Sequence, residues 1–258
     1  MLSSSNLQAK LSGINLSQVL GARELFSNLM FELQTGEILL VRGANGCGKT
    51  SLLRIICGLA LPESGTVFWD NKNIHEQPSE YRTILTYVGH RAGVKLDLTP
   101  EENLQFVAVN QAQEIHLSIE TTLDQLGLRK QAHLQCRHLS QGQLRRVALG
   151  RLWLSGTLLW VLDEPFTALD DNGITDMEIL LEAHTRQGGM VVMASHRVPL
   201  LRDATTPFML AGGLNPDNIK DALYQGALGL DLNSGVEDAP GKKCPNKLHH
   251  AFTSIRNY

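Results

Sequence analysis

The sequence predicts an α/β fold with a mostly parallel sheet, a helical insert and a short C-terminal βαβα fragment. Short apolar segments at 37–41, 158–162 and 190–194 lack polar alternation, which is typical of strands buried on both faces of a parallel sheet. The segment 51–59 instead carries apolar residues at helical spacing. With 258 residues, the chain is long enough for one main core of this kind.

The composition argues against several classes of protein. The formal net charge is -3 and the pI is about 6.3, so no nucleic-acid partner is expected. No apolar segment approaches the roughly 20 residues that cross a bilayer, and the first residues lack the pattern of a signal peptide. The four cysteines show no C-x-x-C spacing, which is compatible with reduced thiols. We therefore expect a chain that stays in the cytoplasm and does not span a membrane.

The strand at 37–41 leads into a phosphate-binding motif. Residues 43–50 are GANGCGKT and fit G-x-x-x-x-G-K-[ST] between a strand and a helix, the context that this motif requires. Glycines let backbone N–H groups approach a phosphate, and the helix N-terminus adds positive potential there. The motif predicts a P-loop NTPase in which Lys49 contacts the β- and γ-phosphates of ATP and Thr50 coordinates Mg²⁺. The residues predicted to bind ATP here are Gly43, Ala44, Asn45, Gly46, Cys47, Gly48, Lys49, Thr50 and Ser51.

A helical insert is predicted at about 91–155. Thr99 is a suitable N-cap, Pro100 fits the first helical position, and Glu101 and Glu102 place negative charge at the positive end of the helix. A later helix is predicted at 140–154, although Gly150 in its interior costs about 1 kcal/mol relative to alanine.

Two carboxylates follow the apolar strand at 158–162. Asp163 and Glu164 are therefore expected at the carboxyl end of the sheet, where doubly wound folds bind their ligands. Asp163 is predicted to hold Mg²⁺ directly or through water, and Glu164 to act as the catalytic base on the attacking water. The alternative is a pair of structural ion-pair partners.

A second glycine-containing turn, LSQGQ at 139–143, opens the helix at 140–154. Here the sequence resembles the ATP-binding cassette (ABC) proteins, whose LSGGQ signature differs only in the residue that corresponds to Gln141. The resemblance implies a head-to-tail homodimer in which Ser140, Gly142 and Gln143 contact the ATP held by Lys49 of the other subunit.

The same resemblance implies roles for four more residues. Asp170 matches the D-loop residue at the dimer interface, and His196 matches the switch histidine that contacts the γ-phosphate, so it is a predicted catalytic residue. His90 stands where the family commonly has the glutamine that links the magnesium site to the membrane subunit, which makes it a candidate residue of that site. Leu20 replaces the aromatic residue that stacks on adenine, so stacking is expected to be weak or differently supplied.

Longer stretches resemble the ATP-binding subunit of the haem exporter of cytochrome c maturation. They lie at 98–104, 145–155, 163–170 and 188–192, and histidine at position 90 is itself typical of that group. The resemblance covers about residues 10–200. It implies an ATPase with ATP and Mg²⁺ as cofactors, integral membrane subunits as partners, and a peripheral location on the cytoplasmic face of the inner (plasma) membrane. Cargo selection belongs to the membrane subunits.

The pattern of predicted elements changes after about Asp203. Strand, glycine turn and helix start are predicted at 207–216, with a second strand and turn at 228–235. The segments LAGGLNPDNI and LDLNSGVEDAPGKK resemble the C-terminal end of phosphoribosylanthranilate isomerase, a TIM barrel. That resemblance implies a substrate-phosphate site lined by Gly212, Gly213, Ser234 and Gly235. The predicted domains are therefore an ABC ATP-binding domain at 1–203 and a TIM-barrel-like fragment at 204–258.

Isomerase activity is not expected from this fragment. Two βα units cannot close an eight-stranded barrel, and in that family the general acid and base come from earlier strands. A fusion remnant is favoured over a working phosphate-binding module. Two other functions remain as alternatives, an isomerase-related fusion protein and a soluble ABC ATPase that acts without a transporter.

Overall fold

The computed structural model describes residues 9–109 and 118–201, together with 208–211, 229–231, 237–239, 242–243 and residue 246. No helix within these ranges is long and apolar enough to cross a lipid bilayer. The strands are β1 (Lys10–Leu20), β2 (Arg23–Gln34), β3 (Ile38–Val41), β4 (Ser64–Trp69), β5 (Lys72–Asn73), β6 (Leu85–Val88), β7 (Leu159–Asp163), β8 (Met190–Ala194), β9 (Phe208–Ala211), β10 (Gly229–Asp231), β11 (Glu237–Ala239) and β12 (Lys242–Lys243). The α-helices are α1 (Lys49–Ile56), α2 (Pro78–Thr83), α3 (Pro100–Val109), α4 (Ile119–Gln125), α5 (Gln141–Trp153) and α6 (Asp171–Arg186). Short 3-10 helices lie at Arg129–Gln131 and Cys136–His138.

A parallel sheet positions the site. In the part of the chain that the structure describes, this sheet has six strands in the order β10-β9-β3-β8-β7-β6, and every neighbouring pair is parallel. All residues of β3, β7 and β8 are buried, which explains why these segments lack polar alternation. The predicted mostly parallel sheet is confirmed.

An antiparallel sheet, in the order β2-β1-β4-β5, was not among the predicted elements. Its apolar pattern is irregular because the pairing of β1 with β2 shifts register three times between Gly13 and Val19. Each shift interrupts the period of two that identifies a strand in a sequence. Leu11, Leu16 and Leu33 are nevertheless fully buried and join this sheet to the main core.

The predicted helical insert contains α3, α4 and α5, which share a small apolar core of their own. The predicted cap of α3 is present, because Thr99 Oγ1 accepts from Glu102 N–H at 3.1 Å and Glu102 Oε2 accepts from Thr99 N–H at 2.8 Å. Gly150 allows α5 to approach its neighbours, since a Cβ there would lie 2.7 Å from methyl carbons of Leu104 and Leu126. Close packing thus accounts for a glycine that the helix itself disfavours.

Two strands of the C-terminal segment extend the main sheet. β9 pairs in parallel with β3, from Ile38↔Phe208 to Val41↔Ala211, and β10 pairs with β9. The strands predicted at these positions are therefore present. The predicted phosphate-binding residues Gly212, Gly213, Ser234 and Gly235 and the predicted helix start at 215–216 lie outside the described residues. The domain boundary at residue 203 stays a prediction.

His184 makes the stability of the core sensitive to acid. Its ring stacks on Trp160 with centroids 3.6 Å apart, and its Nε2 is buried without a hydrogen-bond partner in the described residues. Desolvation lowers the pKa of His184 from 6.5 to about 4. Between these values the unfolded chain binds a proton that the folded chain does not. Stability present above pH 6.5 is therefore lost as the pH falls towards 4.

We expect wild-type protein to lose about 2 kcal/mol of unfolding free energy between pH 7.5 and pH 5 through this group. His184→Phe keeps an aromatic ring on Trp160 but removes the titration, so its loss over the same interval should be smaller by that amount. Urea unfolding of both proteins at the two pH values measures the difference. An identical pH dependence in the two proteins would contradict this role of His184.

Candidate functional site

The predicted phosphate loop connects β3 with α1 at the carboxyl end of the parallel sheet. Gly48 is the N-cap of α1 and has φ 104°, a conformation that side chains disfavour. A Cβ on Gly48 would also lie 2.9 Å from Leu25 Cβ. The loop therefore needs glycine at this position for two reasons, its backbone angle and the strand β2 that packs on it.

Lys49 is held over the loop by backbone carbonyls. Its Nζ donates to Gly43 O at 2.8 Å and to Ala44 O at 3.4 Å, and it lies 3.5 Å from His196 Nε2. The ammonium group is thus placed at the mouth of the loop, where a phosphate would meet the N-terminus of α1.

Thr50 and Asp163 meet at the base of the loop. Thr50 Oγ1 donates to Asp163 Oδ2 at 2.8 Å, and Asp163, the last residue of β7, is only 1% exposed. A hydroxyl and a carboxylate at this separation form the hard oxygen donor set that Mg²⁺ prefers. The donors present therefore fit the predicted metal.

Glu164 follows Asp163 in a strained conformation with φ 50°. Its N–H donates to Ala194 O at 2.8 Å. Its Oε1 is buried, makes no hydrogen bond within the described residues, and lies 3.5 Å from His196 Nε2. His196 Nε2 in turn lies 3.0 Å from Asn45 Oδ1. This oxygen therefore keeps its capacity to accept a proton, although it is buried from solvent in this chain.

Lys49, Thr50, Asp163 and Glu164 line one cleft of about 340 Å³, and His196 lies beside it without lining it. Leu20 and Leu25 supply an aliphatic wall rather than an aromatic one. The remaining lining residues are Asn45, Gly46, Gly48, Ser51 and His90. Of the other predicted ATP-binding residues of the loop, Gly43 and Ala44 contact Lys49, and Cys47 Sγ faces the Cα of Gly43. His90 reaches the cleft, and its role in the metal site stays a prediction.

The predicted signature lies at the start of α5. Ser140 Oγ accepts from Gln143 N–H at 3.2 Å, and Gln143 Oε1 accepts from Ser140 N–H at 2.9 Å, so the turn is closed by a capping box. Neither these two residues nor Gly142 lines the cleft of the same chain. The structure thus does not bring the signature to the phosphate loop within one subunit.

Asp170 is the N-cap of α6, where it accepts from Gly173 N–H at 3.0 Å and forms an ion pair with Arg146 of α5. The backbone hydrogen bond from Gly173 and then the Arg146 guanidinium lower the pKa of this carboxyl group. The predicted D-loop residue is therefore fixed beside the signature helix.

Gly142 is expected to be intolerant of a side chain. A Cβ on Gly142 would lie 2.7 Å from the Ala168 carbonyl oxygen, a backbone atom that cannot move aside alone. Gly142→Ala should therefore lower ATP turnover at least about tenfold by displacing the signature turn or the Ala168 segment, while ATP affinity of the monomer is unchanged.

Steady-state phosphate release and equilibrium ATP binding test this prediction. Gln141→Ala is the matched control, because Gln141 is the exposed neighbouring residue of the same helical turn. Equal turnover in the two variants would show that the close approach of Gly142 to the Ala168 carbonyl oxygen is not needed for ATP hydrolysis.

Two arginines of α5 reach the site and were not predicted to do so. Arg145 contacts the backbone of Asp163 and Glu164, and Arg146 contacts Asp170. The sequence offers a weak signal, two adjacent arginines directly before the apolar residues 147–149 of the helix. It does not reveal which of them is buried.

A model described as ABC transporter matches residues 26–167, and a model described as N-(5'phosphoribosyl)anthranilate (PRA) isomerase matches residues 185–254. The cytochrome c biogenesis ATP-binding export protein CcmA of Haemophilus ducreyi is 46% identical over 180 residues, which are 69% of this chain and 85% of that protein. The protein of the same name from Nitrosomonas europaea is 43% identical over 196 residues, which are 76% of this chain and 92% of that protein.

Solved structures share the fold. The ATP-binding subunit of an ABC transporter superposes with a TM-score of 0.67 at 22% identity, covering 83% of this chain and 93% of that chain. A dimeric ATP-binding cassette in a post-hydrolysis state with ADP and Pi gives a TM-score of 0.64 at 22% identity, covering 72% of this chain and 88% of that chain. The predicted P-loop NTPase fold is confirmed.

Proposed function

This chain belongs to the ABC transporter family and, within it, to the cytochrome c biogenesis ATP-binding export proteins, and we propose on this basis that it hydrolyses ATP to drive haem export during cytochrome c maturation. One observation carries the proposal most directly. Lys49, Thr50, Asp163 and Glu164 line a single cleft although they come from two distant segments of the chain.

Each of these residues has a defined task in the proposed reaction. Lys49 supplies positive charge for the β- and γ-phosphates, and Thr50 and Asp163 would hold Mg²⁺. The metal, when bound, neutralises negative charge on the same phosphates. Glu164 accepts a proton from the attacking water, and His196, which lies near both Glu164 and Asn45, donates towards the γ-phosphate.

The proposed active form is a head-to-tail dimer of two copies. The position of Ser140, Gly142 and Gln143 outside the cleft of their own chain supports it, because a second copy is then needed to bring a signature to each ATP. Asp170 would lie at the interface between the copies. We place this dimer on the cytoplasmic face of the membrane, docked on integral membrane subunits of the exporter.

The proposed domains are an ATP-binding cassette at 1–203 and an appended isomerase-like fragment at 204–258. Because the isomerase model matches only residues 185–254, we do not propose isomerase activity. Absence of phosphoribosylanthranilate turnover by the full chain would agree with this view, and measurable turnover would contradict it.

Affinity purification from native membranes tests the proposed function. Tagged Glu164→Gln protein is solubilised with ATP and Mg²⁺, conditions that should retain the ATP-bound dimer on its partner. We expect integral membrane subunits of cytochrome c maturation to co-purify. Lys49→Ala protein, which should not retain ATP, is the control. Recovery of Glu164→Gln protein without any membrane subunit would contradict the exporter assignment.

A further inference from the structure

Arg145 joins three segments of the site through backbone carbonyls. Arg145 is only 5% exposed. Nη1 donates to Gly89 O at 2.8 Å, and Nη2 donates to both Asp163 O and Glu164 O at 2.8 Å. One guanidinium thus links the signature helix α5, the residue before His90, and the end of β7.

The contacts of Glu164 explain why this link matters. Its Oε1 has no hydrogen bond within the described residues, and the one side-chain contact described for it is the 3.5 Å approach of His196 Nε2. The direction of the carboxylate therefore depends mainly on a backbone with φ 50°, held at its N–H by Ala194 O and at its C=O by Arg145. Left-handed backbone at a non-glycine residue persists only where surrounding contacts hold it.

We propose that Arg145 is a positioning residue for hydrolysis, which fixes the backbone of Glu164 and couples it to the helix that carries Ser140. This inference rests on the proposed ATPase function. Arg145 does not line the cleft, so we expect its loss to leave the direct contacts with ATP in place. Lysine cannot replace it, because an ammonium group lacks the planar fork that reaches carbonyls on two sides.

The test compares Arg145→Lys with wild type in steady-state ATP hydrolysis and equilibrium ATP binding. We expect kcat to fall about 10- to 100-fold while KM and the Kd for ATP stay within about twofold, because the change misplaces Glu164 without touching the phosphate loop. Arg151→Lys is the matched control. Arg151 is another arginine of α5, and its Nη1 donates to Tyr87 O at 3.3 Å without reaching β7. This variant should lose stability but keep kcat within about twofold.

Chemical rescue adds a measurement that a general loss of stability would not reproduce. Millimolar guanidinium should restore part of the kcat of Arg145→Ala, whereas equal sodium chloride should not. Wild-type kcat in Arg145→Lys, an equal loss in Arg151→Lys, or absence of rescue would each overturn the inference. Absence of turnover in the wild-type protein would instead count against the ATPase function itself.

A separate observation concerns the two edges of β3, the strand that leads into the phosphate loop. Val191 N–H donates to Glu37 O at 3.1 Å, and Ser195 N–H donates to Val41 O at 3.4 Å. The backbone N–H and C=O groups of the odd-numbered residues of this segment therefore face β8. Because backbone groups alternate along a strand, those of Ile38 and Leu40 face the other edge. β9 occupies that edge, with Leu40 opposite Leu210.

We infer that the isomerase-like segment is an integral strand of the ATPase sheet, which satisfies the outer edge of β3. The residues of β3 are buried with β9 in place, and loss of β9 would leave an open edge on the strand that leads into the phosphate loop. The segment that matches the isomerase model, residues 185–254, includes β9. The segment thus has a structural role that requires no isomerase reaction.

Amide hydrogen exchange of the full chain tests this inference. If β9 pairs with β3, the Leu40 N–H should exchange about as slowly as the Val41 N–H, which faces β8. Met209→Pro should accelerate exchange at Leu40 at least about tenfold more than at Val41, because the backbone groups of Met209 face β3 and those of Val41 face β8. Rapid exchange of Leu40 beside a protected Val41 in the wild-type protein would overturn the inference.

Discussion

Glu164→Gln is expected to lower kcat for ATP hydrolysis by about 10²- to 10⁴-fold, the range that loss of a general base produces. Glutamine has nearly the same shape as glutamate but cannot accept a proton from water. ATP affinity should be retained, because Lys49 and Thr50 are unchanged. Steady-state phosphate release and equilibrium binding of ATP measure the two quantities, and size-exclusion chromatography with ATP should reveal a stable dimer.

The matched control for this variant is Glu178→Gln. Glu178 lies on α6, away from the cleft, and is also a buried glutamate, 8% exposed. Its Oε1 accepts a hydrogen bond from Leu200 N–H at 2.9 Å. Turnover should survive in the control. Persistent hydrolysis by Glu164→Gln would mean that another group takes the proton from the attacking water.

Lys49→Ala is expected to weaken ATP binding at least about 100-fold, equivalent to about 3 kcal/mol. The reason is that the ammonium is the positive side chain held over the loop by Gly43 O and Ala44 O. Titration with a fluorescent ATP analogue gives the affinity. Lys72→Ala removes one positive charge from the exposed strand β5 and serves as the control for net charge. Equal affinities in the two variants would contradict the assignment of Lys49.

The phosphate site was predictable from sequence because its parts follow local rules. A strand, a glycine loop and a helix are adjacent in the chain. The residues that follow buried parallel strands all lie at the same edge of the sheet, the carboxyl end. That rule places Asp163 beside Thr50 at 2.8 Å although they are 113 residues apart. The specific roles of the site residues stay predictions.

Other features depend on contacts that no local pattern encodes. The register shifts of β1 hide its alternation, and the burial of Arg145 depends on carbonyls of two strand ends that are distant in sequence. The strands at 207–211 and 228–232 were recognisable, but their place in the ATPase sheet was not. That place is set by which edge of β3 is available, a property of the assembled sheet rather than of either segment.

The pairing of β9 with β3 has a consequence for protein synthesis. During translation, all residues of the nucleotide cleft are synthesised before Phe208–Ala211. Until β9 has been made, β3 therefore has one open edge. Open edges recruit strands from other chains. A nonsense mutation or a proteolytic cut before residue 208 would therefore leave every predicted ATP-binding residue in place and yet yield a chain prone to aggregation.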